Sequence, residues 1–169
     1  MQEAVIRELG LGQSGAAFAA MRALRTHLSD EHAFAAAVDG LQRPQGYRLA
    51  AVFEAAGAPQ AAAVAGFRIT HHLAWGRTLY LDDLSTRPEA RRRGHARLLL
   101  SWLEAEARSQ GCDELHLDSG VGPERRNAHR LYFNAGLRIA SHHFALELER
   151  DQSRAPARGS RPPQEPREP

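Results

Sequence analysis

The sequence contains no lysine, so all 22 of its basic residues are arginine. A compositional bias explains that as readily as chemistry does, and it assigns no function. Cysteine is nearly absent too. The single Cys112 excludes an internal disulfide framework and a cysteine-based zinc cluster. No apolar run approaches the roughly 20 residues that cross a bilayer, so no membrane is expected as a partner. Met1-Gln2-Glu3 is not followed by the basic and then apolar stretch of a secretory signal, and a cytoplasmic location is the expectation. Net charge is also scarce. The formal value is +2, and Arg150–Pro169, with five arginines against Asp151, Glu165 and Glu168, accounts for all of it. A body of no net charge gives little reason to expect nucleic-acid binding. Arg91–Arg93, Arg125, Arg126 and the tail are basic, but no aromatic stacking platforms are interleaved with them.

What remains suits one globular domain. A chain of 169 residues, 43% hydrophobic and 25% charged, can bury a core of its own. Residues 1–149 are expected to form it. Residues 150–169 carry Pro156, Pro162, Pro163, Pro166 and Pro169 among Ser, Gln and Arg. Such a segment buries too little apolar area to offset its ordering entropy, so a disordered tail is expected.

Within the domain the periodicity switches repeatedly. Ala4-Val5-Ile6 reads as an opening strand, and alanine-rich stretches at Ala16–Leu28 and Glu31–Leu41 read as helices. Ser29 or Asp30 is the N-cap expected for the second. Tyr47–Glu54 and Ala61–His72 read as strands joined by a turn at Gly57-Ala58-Pro59, and Leu79–Ser85 as another. Leu99, Leu100, Leu103 and Ala107 follow helical spacing up to Gly111. Leu115 and Leu117 alternate with polar residues, as a strand would. Ala128, Leu131, Tyr132 and Ala135 form a second helical stripe closed by Gly136, and Ile139–Leu148 is expected to supply a last strand or strand pair. Strands alternating with helices imply an α/β sandwich.

The most informative stretch is Arg91-Arg92-Arg93-Gly94-His95-Ala96, placed after a strand and before a helix. A helix N-terminus offers backbone N–H groups without intrahelical partners, and its dipole adds partial positive charge. Gly94 and the small Ala96 let those amides approach a phosphate, while the arginines supply charge-assisted donors. A solvated basic turn fits the hexapeptide as well. A Walker-type phosphate loop is excluded, because no Gly-Lys-Ser/Thr follows, and a single glycine makes a poor dinucleotide fingerprint.

Arg91-x-x-Gly94-x-Ala96 resembles the Gln/Arg-x-x-Gly-x-Gly/Ala acetyl-CoA loop of the GNAT N-acetyltransferase superfamily. Ala128-His129-Arg130-Leu131-Tyr132-Phe133-Asn134-Ala135-Gly136-Leu137 resembles that superfamily's later Ala-x-x-Leu-Tyr-x-x-x-Gly-Phe block. The two blocks stand in the family's order and spacing. Two departures stand out: Arg125 occupies the position, seven before the tyrosine, where many relatives carry Asn, and Leu137 replaces the closing aromatic.

The resemblance implies an α/β GNAT fold: a mixed, mostly antiparallel sheet of six to seven strands, about four flanking helices, and a splay between strands 4 and 5. It implies acetyl-CoA as cosubstrate, with no metal, and transfer of the acetyl group to a primary amine of a small molecule or peptide by direct attack in a ternary complex. Leu84, Ser85 and Thr86 match the splayed strand that presents backbone N–H groups to the pantetheine and thioester oxygen. Arg91, Arg92, Arg93, Gly94, His95, Ala96 and Arg97 match the pyrophosphate loop. Tyr132 sits where the family places its general acid, though its stripe also suits core packing. Asp82 lies nine residues before the loop's first Arg, the spacing of an amine-activating acid in some polyamine-acetylating relatives.

Asp82 and Asp83 interrupt a leucine-rich strand. Neighbouring strand residues point to opposite faces unless a bulge intervenes, so at least one acid is expected to face inward. Either can activate the amine, or bond loop amides and arginines structurally. His71-His72 and His142-His143 are expected as strand pairs facing opposite ways, poorly placed to chelate one metal. Ser119 suits either a substrate contact or a helix cap. A catalytically idle acyl-CoA-binding or sensing module on the same fold is the rival reading. A homodimer through the late strands is implied by analogy only.

Overall fold

The computed structural model describes residues 4–148. The expected disordered tail, 150–169, lies outside the described residues. Of these, residues 4–139 belong to one compact unit and residues 140–148 to another.

The first unit is built on a five-stranded sheet in the order β1 (Val5–Leu9), β2 (Arg48–Phe53), β3 (Ala63–His72), β4 (Gly76–Thr86) and β5 (Glu114–Leu117). The first four pair antiparallel in sequence order, and β5 lies parallel to β4. A parallel neighbour requires a crossover. Here α3 (His95–Ser109) supplies it.

Two apolar faces cover the sheet. Leu49, Ala51 and Phe53 of β2 pack with Leu9, Met21, Phe34 and Val38 on one side, against α1 (Phe18–Arg22) and α2 (Glu31–Ala37). Ala50 and Val52 pack with Phe67, Leu79, Leu99, Leu103 and Tyr132 on the other, against α3 and α4 (Arg126–Asn134). The alternation along β2 follows from the period of two, and burial on both faces is why Leu49–Phe53 reads as an unbroken apolar run.

Local signals are placed as their chemistry requires. The Asp30 carboxylate accepts the Ala33 N–H at 2.6 Å, capping α2. Gly136, at φ 84°, closes α4, and the Leu137 N–H turns back to the Tyr132 carbonyl. Three expectations need correction. The helix expected over 16–28 is a 3₁₀ turn, Ser14–Ala17, followed by the five-residue α1. Beyond Arg22 the apolar repeat lapses, and the chain runs on through turns that carry Arg25. Among the described residues the sheet has five strands rather than six or seven. Residues 140–148, expected as strand, form no helix or strand and are exposed, with Phe144 and Leu146 more than four-fifths accessible. Alternation alone does not hold a strand; its backbone groups need a ladder partner, and the described residues provide none. His142 and His143 are therefore not a strand pair.

Candidate active site at the splay of the sheet

The β4–β5 ladder runs from Thr78 opposite Glu114 to Leu81 opposite Leu117 and stops there. Strand β4 continues to Thr86, so Asp82–Thr86 has no neighbour on that side among the described residues. At the same place the β3–β4 register slips: Gly66 pairs with Asp83 and Phe67 with Leu81, leaving Asp82 as an extra residue. This is a β-bulge, and it resets which way the following groups point. The Arg87 N–H donates to the Ala62 carbonyl of the β3 side at 2.9 Å. Counting back along an antiparallel ladder, the Ser85 amide also faces β3. The N–H and C=O groups of Leu84 and Thr86 therefore face the open side.

The bulge also settles the acids. Asp83 accepts from the Tyr47 hydroxyl at 2.9 Å and from Arg25 Nε at 2.8 Å. Asp82 accepts from Arg68 Nε at 3.1 Å, and the Arg68 guanidinium lies over the Tyr47 ring. Both carboxylates thus turn toward the Tyr47 side of the sheet, and each meets an arginine. Gly66 makes this arrangement fit, because a Cβ there would lie 1.7 Å from the Tyr47 oxygen.

A cavity of about 190 Å³ sits at the splay, lined among others by Arg25, Asp82, Leu84, Asp118, Arg125 and Tyr132. Burial raises the Asp82 pKa above the usual carboxylate range, opposed by Arg68. Burial likewise pushes the Tyr132 phenol up, opposed by the Arg125 charge. Tyr132 is only 9% exposed, so it belongs to the core stripe and to the cavity wall at once. Asp118 accepts a short hydrogen bond from the Tyr80 hydroxyl. A larger depression of about 620 Å³, bordered by Arg7, Gln13, Glu31 and Phe53, contains none of the motif residues. Converging polar groups with shifted pKa values, rather than volume, make the smaller cavity the candidate site.

The arginine loop is built from the 3₁₀ turn Pro88–Ala90, anchored by buried Ala90, and a reversal in which Arg92 (φ 62°) and Gly94 (φ 87°) adopt the left-handed region. Gly94 is the N-cap of α3 and offers no side chain, so its first-turn amides are uncapped. The first helical bond is from Leu98 N–H to the Gly94 carbonyl. The three arginines separate in role. Arg91 and Arg92 are exposed, with Arg91 Nε 3.4 Å from the Thr86 carbonyl, whereas Arg93 pairs with Glu54 at 2.8 Å. The buried His95 ring meets the same Glu54 carboxylate at 2.8 Å, and this contact is the first cause of the lowered pKa of Glu54. Glu54 thereby ties the loop to the end of β2. Uncapped amides at Gly94–Arg97, two exposed guanidiniums and open space above Gly94 suit a pyrophosphate.

The profile of the Acetyltransferase (GNAT) family matches residues 16–136. The chain belongs to this family. Among curated proteins no significant match is found. Solved structures with the same fold include a Trypanosoma brucei acetyltransferase (18% identity, TM-score 0.71, covering 86% of this chain and 100% of that one). The aminoglycoside N-acetyltransferase AAC(6')-Iy in complex with CoA is another (17%, TM-score 0.68, 86% and 95%). A third is ribosomal-protein-alanine N-acetyltransferase from Brucella melitensis biovar Abortus 2308 (16%, TM-score 0.68, 86% and 100%). At such identities the likeness establishes the fold alone.

As a GNAT family member the chain puts its motif residues in two connected places. Asp82, Leu84 and Tyr132 line the cavity, and Arg91–Arg97 forms the loop at the head of α3. Two motif residues have structural partners instead: Asp83 lies beneath Arg25, and the buried Ser85 hydroxyl donates to the Ala20 carbonyl at 2.6 Å. Sequence reasoning did not single out Arg25, Tyr47 or Glu54. No motif carries them, because each is recruited from a distant element by the bulge or the loop.

Proposed function

We propose that this protein is an acetyl-CoA-dependent N-acetyltransferase acting on a primary amine of a small molecule or peptide, in the cytoplasm. The observation that carries the reading is the cavity at the splay. There the open Leu84 backbone groups, the buried Tyr132 and the half-buried Asp82 converge, and β4 runs on from Leu84 toward the arginine loop. Acetyl-CoA supplies the acyl group: the amine nitrogen bonds to the carbonyl carbon, the carbon–sulfur bond breaks, nitrogen loses a proton and sulfur gains one. The loop amides and Arg91 and Arg92 hold the pyrophosphate. The Leu84 N–H points where an oxyanion develops and stabilises it without needing a particular side chain.

Tyr132 keeps its proton because burial raises its pKa, so it can donate to the departing sulfur. Asp82, raised by burial, accepts a proton from the amine directly or through water. Asp83 serves this chemistry by holding Arg25 at the cavity wall rather than by touching the amine.

The test is acetyl-CoA turnover, read as free thiol, across a panel of amine acceptors. Turnover with at least one amine is expected, and Tyr132→Phe should lower kcat by roughly 10²–10⁴-fold with acetyl-CoA binding retained. Acetyl-CoA binding without transfer to any amine would identify a sensing module instead.

A further inference from the structure

Of the two arginines that line the cavity, Arg25 and Arg125, only Arg25 has a carboxylate partner among the described residues. Arg25, Arg68 and Arg93 are each paired with Asp83, Asp82 and Glu54, whereas Arg125 forms no ion pair among the described residues. It is the last residue before α4, and Tyr132 follows seven positions later, two helical turns on and therefore on the same face. Helical side chains lean toward the N-terminus, so the tyrosine ring reaches back over the turn from which Arg125 starts. Both residues line the same cavity. The Arg125 stem is held in place: its Nε lies 3.4 Å from the Ser119 hydroxyl, and its Cγ passes close to Gly120.

We propose that Arg125 is a positioning residue for the acid Tyr132, holding the phenol toward the splay and stabilising the phenolate it becomes. This rests on the acyl-transfer reading above. As the C–S bond breaks its electron pair stays on sulfur, the tyrosine O–H bond breaks and an S–H bond forms. The negative charge is then on the phenol oxygen, which later recovers a proton released by the amine. A buried phenolate is costly unless paired. The other charged groups facing Tyr132 do not pair it. Asp82 and Asp118 carry carboxyl groups, which cannot stabilise a phenolate, and Arg25 is bound to Asp83 and to the Asp82 carbonyl. Arg125 is the cation beside it, and its charge already opposes the effect of burial on the phenol. Where many relatives have a neutral Asn, this chain has a permanent charge.

Steady-state kinetics from about pH 6 to beyond about pH 10, where a phenol raised by burial titrates, on wild type, Arg125→Asn, Arg125→Lys, Tyr132→Phe and the Tyr132→Phe/Arg125→Asn double variant test the proposal. Arg125→Asn should lower kcat by about tenfold or more, change the acetyl-CoA KM by less than about twofold, and move the alkaline limb of kcat to higher pH. Arg125→Lys should recover most of the rate. In the Tyr132→Phe background Arg125→Asn should add little further loss, because the two act as a unit. An unmoved alkaline limb, or an equal loss in both backgrounds, overturns the proposal. If Arg125→Asn fails to fold, Arg125→Gln carries the same comparison. Failure of the acyl-transfer reading shows separately, as absence of turnover in the wild-type protein.

Discussion

Asp82 and Asp83 are adjacent in the chain and yet differ in environment because Asp82 is the extra residue of the β4 bulge, whereas Asp83 keeps its ladder partner Gly66. Asp82 borders the cavity, where burial raises its pKa against the pull of Arg68. Asp83 is covered by Arg25 and bonded by Tyr47. The pH consequence has a definite sign. A base must be ionised to act, so a raised pKa moves the acidic limb of kcat/KM to higher pH than an ordinary carboxylate would give. Asp82→Asn should abolish that limb and lower the rate by about 10²-fold. A rate profile in which the limb survives the substitution would assign proton removal to another group.

At this scale the sequence was partly legible. Tyr132 and the loop glycine stand in local motifs whose register is set within a few residues. The partners of the acids are not local: Arg25 lies 58 positions from Asp83 and Tyr47 lies 36.

Among the elements, β4 matters most. Its ladder with β5 ends at Leu81, and its bulge sits one residue beyond. A strand that loses a neighbour exposes unpaired N–H and C=O groups, normally a liability; here they face the cavity. The bulge is matched on β3 by Gly66, against which the Tyr47 hydroxyl packs. Gly66→Ala must displace Tyr47 and break its bond to Asp83, an overpacking expected to cost about 1–3 kcal/mol in urea denaturation. An unchanged midpoint would mean that Tyr47 moves aside at no cost. The strands themselves were readable from alternation, since β2, β3 and β4 fall close to the expected ranges. The bulge was not, because it depends on register between two strands, and register is a relation between segments. The five-residue α1 is shorter than its alanine content predicts for a related reason. Alanine favours helix wherever it occurs, and only packing against the sheet decides how many of its turns are kept.

For the whole molecule, the two apolar clusters on either side of the sheet lie within residues 4–137. Leu103 is fully buried in one of them, whereas Leu146 is 83% exposed. Leu103→Ala should therefore cost about 2–5 kcal/mol of stability, and Leu146→Ala should stay within about 0.5 kcal/mol. Equal losses, measured by denaturation of both variants, would place residues 140–148 in the core.

Composition, periodicity and two motif blocks determined the sandwich, the family and the loop, because each rests on neighbours in the chain: a repeat of two or 3.6, a glycine at a helix start, a tyrosine on an apolar stripe. The tertiary structure alone decided which backbone groups are open, which acid borders the cavity, and that Arg125, unlike Arg25, has no carboxylate partner among the described residues. Those outcomes depend on where one strand stops and another slips by a residue. Such events arise from balancing the whole sheet, and no local pattern encodes them.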